Sequence, residues 1–260
     1  VDGRFAFFED LTINTFWAST RTRNLKGDNF SYRAKFDYDA DRYGLTVEHL
    51  AVGDNFNPEI GFVRRDDLRR SFAEVRFSPR PSKSTVVRKY SFVGSVDYNQ
   101  DGDGLLETRE LNAEFRVDFQ NSDAARIEYA DSYEFLQQPF AIASGTVLPV
   151  GGYNFSRLHF GYSFGRQRDF SGIVFMEIGS FYTGKRTTLT IMSGLANITS
   201  RFSIEPSLSL NWVALNEGSF VAKLAGGRFT YTMTTMMFAS AFFQYNSSND
   251  TLSSNIRLRW

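Results

Sequence analysis

Apolar and polar residues alternate along most of the chain, with a period of two residues. Segment 30–39 is an unbroken example, in which aromatic residues and alanine occupy one set of positions and serine and charged residues the other. Segments 111–120, 157–164, 202–212 and 255–260 repeat this pattern. Successive side chains of a β-strand point to opposite faces of the sheet. The pattern therefore predicts strands with one apolar and one polar face from one end of the sequence to the other.

The predicted strands are long. The pattern divides the chain into about 14 to 16 strands, most of about 9 to 14 residues, whereas strands in soluble proteins usually have about 5 or 6 residues. A strand that crosses a bilayer at a tilt needs about 9 to 11 residues. We therefore predict an all-β fold, an antiparallel transmembrane β-barrel whose apolar face meets lipid and whose polar face surrounds a lumen. One barrel domain would comprise residues 1–260, alone or within a larger barrel, and a soluble all-β protein is the alternative fold.

Short predicted connections, such as 40–42 and 121–123, alternate with longer ones, such as 54–68 and 137–151. Outer-membrane barrels have short periplasmic turns and longer outside loops. The alternation therefore predicts that the first strand runs inward from the outside. Complete barrels normally start in the periplasm and have an even number of strands, so we also expect barrel or module sequence upstream of residue 1.

The composition narrows the class of protein. The 260 residues include 29 Lys and Arg and 29 Asp and Glu, so the net charge gives no support for a nucleic-acid partner. No apolar run reaches the roughly 18 residues of a membrane-spanning helix. The aromatic content of 16% argues against a disordered chain. Because there is no cysteine and there are only two histidines, a thiolate metal site is excluded and histidine-based catalysis has few candidates.

Three stretches resemble a known bacterial family. They are Asn57–Asp66, Gly151–Phe155 and the tail that runs from Gln244 to Trp260. The family consists of large, largely uncharacterised outer-membrane proteins in which an N-terminal module similar to carbohydrate-binding family 9 precedes a C-terminal barrel. The resemblance covers the later part of that barrel and nothing of the module. It implies a location and an architecture rather than an activity.

The polar positions of the predicted strands carry charges of both signs. In a barrel these side chains would line the lumen, or pair across neighbouring strands and fill it. Because neither sign dominates, we predict no strong ion selectivity. The predicted pore-lining residues are Arg33, Lys35, Asp37, Glu114, Arg116, Asp118, Arg157, Arg257 and Arg259.

Two long connections are candidates for narrowing the lumen. Segment Asp54–Leu68 would fold inward or stay an exposed, hydrated loop, and the exposed loop is the favoured alternative. Segment Gln137–Gly151 would act as a plug or partner contact, although a packed surface loop is favoured. The residues predicted to form a constriction are Arg64, Arg65, Asp66 and Asp67.

A motif typical of calcium loops lies between two predicted strands. Asn99, Asp101 and Asp103 match the first, third and fifth positions of such a loop, Gly104 the sixth and Glu110 the twelfth. Hard cations require converging oxygen ligands of this kind. The flanking segments alternate as strands rather than helices, and the first position is Asn rather than Asp. A hydrated hairpin loop is therefore the favoured alternative, and no cofactor is expected unless this loop binds calcium.

An enzyme is not expected. His49 shares the apolar positions of its strand, whereas His159 has a polar position with Ser156 and Ser163 nearby and Glu177 on the next predicted strand. A nucleophile requires a base within hydrogen-bonding distance and an orienting group behind that base. No spacing in the sequence establishes this arrangement.

Two functions remain open at this point. The first is a passive, porin-like channel for small polar solutes in the bacterial outer membrane, with specificity set by loops and lumenal charges. The second is a structural anchor or interaction barrel that holds a carbohydrate-binding module or a protein complex. The expected partners are membrane lipid and lipopolysaccharide, together with other outer-membrane or periplasmic proteins.

Overall fold

The computed structural model describes residues 1–23, 27–59, 61, 63 and 65–260. Long alternating segments form strands, and among these residues no helix is long and apolar enough to cross a membrane. The strands are β1 Asp2–Phe7, β2 Leu11–Ser19, β3 Phe30–Asp39, β4 Tyr43–Val52, β5 Leu68–Phe77, β6 Val87–Gln100, β7 Leu106–Phe119, β8 Ala124–Leu136, β9 Phe140–Ala143, β10 Thr146–Leu148, β11 Gly151–Phe164, β12 Phe170–Phe181, β13 Gly184–Asn197, β14 Phe202–Leu215, β15 Gly218–Thr234, β16 Met237–Asn246 and β17 Thr251–Arg259.

Fifteen of these strands form one sheet, and each pairs antiparallel with its neighbours in the sheet, which follow chain order with one exception. The exception to strict chain order is the short β9–β10 hairpin, which forms its own two-stranded sheet, so that β8 pairs with β11. Strands β1 and β17 are the two edges, and each has one neighbour within the described part of the chain. The predicted all-β, antiparallel fold is confirmed.

The register assigns the side chains of the sheet to two faces, because cross-strand partners point to the same side. Arg33 of β3 lies opposite Leu50 of β4, which lies opposite Arg70 of β5. Continued across the sheet, this register places most charged side chains of the strands on one face, called here the charged face. The opposite face, the apolar face, carries exposed large side chains that include Leu45, Val47, Val75, Phe92, Leu111, Ile127, Tyr129, Phe160, Met176, Ile178, Trp212, Val221, Phe229 and Phe243.

Few apolar side chains are buried. The described residues include seven buried apolar residues, whereas many large apolar side chains of the single-layer sheet are exposed. Leu148 of the β9–β10 hairpin is fully buried, and it forms a cluster with Val213 and Leu215 of β14. The seven residues are Ala51, Val52, Ala124, Ala130, Leu148, Val213 and Leu215.

The connections lie at two ends of the sheet. At the end called here the turn end, 40–42 and 120–123 are short, but 78–86 is long. The opposite end, the loop end, has long connections and also two tight turns, 182–183 and 216–217. The predicted alternation of short and long connections therefore holds at some positions and not at others. The connections of the loop end are 20–29, 53–67, 101–105, 137–150, 182–183, 216–217 and 247–250.

Candidate functional site on the charged face

Ion pairs join neighbouring strands across the charged face. Glu48 of β4 is buried and accepts hydrogen bonds from Arg33 Nε (2.9 Å) and Arg70 Nη1 (2.9 Å). Arg70 of β5 also donates from Nη2 to Asp97 of β6 at 2.6 Å. These four side chains form a continuous chain from β3 to β6, in which each central group has a partner on both sides. The alternating charges hold the side chains against the wall of the sheet.

A second chain of ion pairs begins one strand further along. Arg157 of β11 donates from Nη2 to Glu110 Oε1 of β7 at 2.9 Å, and its Nε lies 3.5 Å from Glu177 Oε2 of β12. Glu177 also pairs with Arg186 of β13. Asp97, the last member of the first chain, lies directly opposite Glu110 in the register. The two chains therefore meet at a pair of carboxylates, each of which binds an arginine on its far side.

All the residues predicted to line a pore lie on the charged face, although that this face lines a pore stays a prediction. Several are paired there: Lys35 with Asp37 at 3.3 Å, and Arg116 with Asp118 at 2.8 Å. Glu114 pairs with Arg126 at 3.4 Å, while Arg33 and Arg157 belong to the two chains of ion pairs. On the edge strand β17, Arg257 donates to Asn255 at 3.0 Å and Arg259 is exposed.

The segment 53–67 lies over the charged face near β3–β7. Its residues Phe56 and Val63 line a cavity of about 990 Å³ together with charged-face residues such as Arg33 and Arg70. Arg65 pairs with Glu107 of β7, and Asp67 Oδ1 accepts a hydrogen bond from Gly102 N at 2.8 Å.

The structure describes one of the two other residues predicted for a constriction, Asp66. Asp66 is exposed, and Arg64 lies outside the described residues, as do Ile60 and Phe62 of the stretch that carries the family resemblance. The segment as described therefore offers one cation, Arg65, to the charged face.

The β9–β10 hairpin, which lies within the segment Gln137–Gly151, also packs onto the charged face, and both the plug and the favoured packed surface loop stay predictions. Leu148 contacts a cluster that includes Val213, Leu215 and Phe220, and these three side chains share the face of Arg186 in the register. This part of β14 and β15 is apolar on the side that is polar elsewhere in these strands. The apolar side chains of the hairpin therefore bury against it.

Glu107 connects the two segments that lie over the charged face, 53–67 and the β9–β10 hairpin. Its side chain is only 9% exposed; Oε2 pairs with Arg65 of the segment 53–67, and Oε1 accepts a hydrogen bond from Gln137 Nε2 at 2.9 Å. Gln137 directly follows β8 and lies three residues before the β9–β10 hairpin begins at Phe140. A bulge in the pairing of β6 with β7 adjoins Glu107. One buried carboxylate thus ties both segments of the loop end to the wall of the sheet.

The two histidines lie on opposite faces, as their positions in the alternation predicted. His49 is on the apolar face and its Nδ1 lies 3.0 Å from Ser71 Oγ. His159 is on the charged face between Glu128 and Glu177, stacks on Phe175 and has Nε2 at 3.1 Å from Arg126 Nη2. In the described part of the chain no serine hydroxyl bonds to His159.

The residues of the predicted calcium loop are not brought together. Asn99 donates to Asp97 at 2.9 Å, and Asp101 accepts a hydrogen bond from Leu105 N at 2.8 Å within the hairpin. Asp103 is exposed, and the Glu110 carboxylate binds Arg157 and Asn112 on the charged face. Among the described residues there is no group of three or more Asp, Glu, His or Cys side chains placed to hold a metal ion.

At the turn end, carboxylates of one connection also bind groups of a neighbouring connection. Asp123, whose side chain is 1% exposed, accepts hydrogen bonds from Arg168 Nη2 at 2.6 Å and from Gly165 N at 2.8 Å. These bonds, with that of the Tyr162 hydroxyl, lower the pKa of Asp123 to about 2, because they stabilise the ionised carboxylate. The same motif recurs between 40–42 and 78–86, where Arg80 pairs with Asp41 at 2.6 Å and lowers its pKa.

Glu48, Arg70, Asp97 and Glu107 were not among the residues predicted from the sequence. The first three have polar positions in alternating segments, which is a signal that the sequence contains. Their pairing depends on strand register, however, and a slip of one residue would reverse every face. Glu107 carries no such signal, because it adjoins a bulge that interrupts the alternation.

No protein family, no curated protein and no solved structure matched this chain. The resemblance to the outer-membrane family therefore stays a prediction, and the geometry of the charged face carries the functional argument.

Proposed function

We propose that the sheet closes into a β-barrel in the bacterial outer membrane and forms a passive channel for small polar solutes. The charged face would surround the lumen, and the apolar face would contact lipid, including lipopolysaccharide. The single observation that carries the proposal is the separation of charged and apolar side chains onto opposite faces of one continuous antiparallel sheet.

The exposed apolar face is the first support. Trp212 is 42% exposed and Ile127 47% exposed, although each lies within a long strand. Large continuous apolar surfaces are rare on soluble monomers and mark contacts with membranes or partners. A soluble sandwich would bury this face against a second sheet, and among the described residues the only additional sheet is the β9–β10 hairpin, which packs on the charged face.

Strand length is the second support. Strands β6, β7, β11, β13 and β14 each have 14 residues, and the shorter β3, β4 and β5 have 10. A tilted strand crosses the hydrocarbon core with about 9 to 11 residues. The longer strands would therefore cross the membrane and extend beyond it toward the loop end or the turn end.

The proposed lumen would be narrowed rather than wide open. The segment 53–67 and the β9–β10 hairpin both lie over the charged face, and Glu107 ties them together. Water and small solutes would pass between these segments and the wall of the sheet. Such a constriction would limit the size of the solute, while the balanced charges of the wall would give little preference for one sign of ion.

The same two segments favour a second candidate function, a structural anchor or interaction barrel. If the 53–67 segment and the hairpin fill the lumen completely, the barrel would hold a periplasmic or surface module or a protein partner without conducting. This candidate requires only the membrane-facing apolar surface and no open path.

Single-channel recording in planar lipid bilayers tests both candidates. We expect discrete, reproducible conductance steps with weak selectivity between potassium and chloride. A protein that inserts into the bilayer but stays silent would support the anchor and contradict the channel. Insertion is checked separately by gel mobility with and without boiling, since folded outer-membrane barrels migrate differently from unfolded chains. Equal mobility, together with solubility in the absence of detergent, would contradict the membrane proposal itself.

A further inference from the structure

The charged face contains a pocket whose chemistry is distinct from that of the ion pairs around it. We infer that this pocket, between β5 and β11, binds a neutral polyhydroxylated solute such as a saccharide or a polyol. The inference rests on the proposed channel, which supplies the route to the pocket, and it names the class of solute.

The pocket spans five adjacent strands, β5, β6, β7, β8 and β11, and has a volume of about 420 Å³. It adjoins the larger cavity beneath the segment 53–67, because Asp97, Asn99 and Thr108 line both. Cavities of about 300 to 1,000 Å³ are the usual size of small-molecule sites. The pocket is therefore large enough for a sugar unit or two and is open toward the proposed path.

Four of the five charged side chains that line the pocket belong to ion pairs. The fifth, Glu134, accepts a hydrogen bond from the Tyr182 hydroxyl at 2.7 Å. Asp97 and Glu110 face each other across the floor, and they bind Arg70 and Arg157 respectively. An anionic solute would meet both carboxylates, and a cationic solute would have to compete with two arginines already in place. A neutral solute meets neither obstacle, so the electrostatics of the floor select against both signs of charge.

Unused hydrogen-bonding capacity remains on the same floor. Asn112 Nδ2 donates to Glu110 at 3.1 Å, but Asn112 Oδ1 is a buried acceptor without a partner among the described residues. Ser95 lies directly opposite Asn112 in the register. A solute hydroxyl can donate to the amide oxygen and accept from a hydroxyl at once, which a halide or a simple ammonium cannot do.

Two aromatic rings flank this polar floor. Phe72 on β5 and Phe155 on β11 are exceptions to the alternation, because they take positions on the charged face. Arg70 packs over the Phe72 ring at 5.2 Å, and Tyr182 lies 5.2 Å from the Phe155 ring. The rings are therefore held in place at the sides of the pocket. Aromatic rings provide rigid apolar surface beside polar groups, which suits the mixed C–H and hydroxyl surface of a sugar.

The test measures binding directly, with the protein in detergent micelles and a neutral disaccharide as the probe. Saturation-transfer NMR and titration calorimetry should detect binding of this probe. Gluconate, an anion, and glucosamine, a cation, should bind more weakly. Asn112→Ala and Phe72→Ala should each weaken binding by about 3- to 10-fold, the effect of losing one hydrogen bond or one packing surface.

Matched controls lie on the charged face outside the pocket. Asn211→Ala on β14 and Phe242→Ala on β16 remove the same side-chain types and should leave binding unchanged. Absence of disaccharide binding, equal binding of the charged sugars, or equal effects of pocket and control variants would overturn the inference. Unchanged gel mobility without boiling shows that each variant is folded.

Bilayer recording separates this inference from the proposed function. Conductance without saccharide binding would overturn the pocket and leave the channel in place. Binding without conductance would support the pocket and contradict the channel.

Discussion

The charged face is constructed differently in two regions of the sheet. Among the described residues, every ion pair but one joins residues of β3–β13 or of their connections. In β14–β17 the single pair is Arg228 with Glu205 at 3.6 Å. The remainder of that region presents serine, threonine, glycine and amide side chains together with Arg257 and Arg259, which have no ion pair to any described residue. It becomes apolar at the loop end, at Val213 and Leu215.

This difference determines how each region binds the segment that lies over it. The segment 53–67 is held to β7 by the ion pair of Arg65 with Glu107, whereas the β9–β10 hairpin is held to β14 and β15 by burial of Leu148. Ion pairs weaken as salt screens them, but apolar burial does not weaken in this way. The two sides of the proposed constriction should therefore respond differently to salt and to mutation.

The largest effect is expected for Leu148→Ala. Removing a fully buried leucine side chain costs about 2 to 5 kcal/mol, and here that cost falls on the docking of the hairpin. Amide hydrogen exchange in β9 and β10 should accelerate, and the single-channel conductance should rise. The matched control is Val147→Ala in the same strand, since Val147 is 50% exposed. Equal acceleration in both variants would contradict docking through Leu148.

A smaller effect is expected for Glu107→Gln. Replacing the carboxylate weakens its bonds to Arg65 and Gln137, and hydrogen bonds to a charged group are worth about 1.5 to 3 kcal/mol. Because Arg65 is 42% exposed, solvent screening should leave the loss nearer 1 kcal/mol. Protease cleavage within 53–67 should become faster at low salt and approach the wild-type rate at high salt.

Glu74→Gln is the control for this prediction. Glu74 lies on the charged face of β5, with no ion pair to any described residue. A salt-independent effect of Glu107→Gln, or an equal effect of Glu74→Gln, would show that Glu107 does not hold the segment electrostatically.

Measurements of ion selectivity would compare the charges of the two regions directly. Glu48→Gln removes a buried negative charge between Arg33 and Arg70, so the reversal potential in a potassium chloride gradient should shift toward chloride. Glu205→Gln should produce a smaller shift, because Glu205 is 43% exposed and better screened. Glu205→Gln should alter the folding free energy by no more than about 1 kcal/mol, because both members of its ion pair are exposed. Equal shifts would show that the two regions contribute equally to the field in the lumen.

The smallest effect is expected at the turn end and depends on pH. The pKa of Asp123 in the folded protein is about 2, below its ordinary value of 3.8. Its stabilising contribution is therefore present above about pH 4 and is lost as the pH falls toward 2. Urea unfolding in detergent should give a lower midpoint for Asp123→Asn than for wild type at pH 7. The two midpoints should converge near pH 2, and a constant difference would contradict the role of the ionised carboxylate.

The alternation in the sequence predicted the faces of the sheet well. Arg33, Lys35 and Asp37 were assigned to one face because side-chain direction alternates within a single strand, whatever that strand pairs with. The same rule separated His49 from His159. It did not predict Glu107, because a bulge breaks the alternation there, or the β9–β10 hairpin, whose two strands are too short to show a period.

The contacts of the candidate site could be predicted from the sequence less well than the faces of the sheet. Glu110, the last position of the calcium-loop motif, lies on the charged face of β7, where Arg157 binds its carboxylate, and calcium binding by this hairpin stays a prediction. The spacing of Asn99 to Glu110 suited a loop between helices, and a hairpin between strands directs the same residues elsewhere.

The sequence by itself determined that the strands are long and two-faced, because alternation is a local property that each strand carries independently of its neighbours. Only the tertiary structure decided which charges meet, since the contacts of Glu48 with Arg33 and Arg70 depend on the register of three strands. It also decided that two loop-end segments fold over the charged face, because docking depends on surfaces that residues distant in the chain create together.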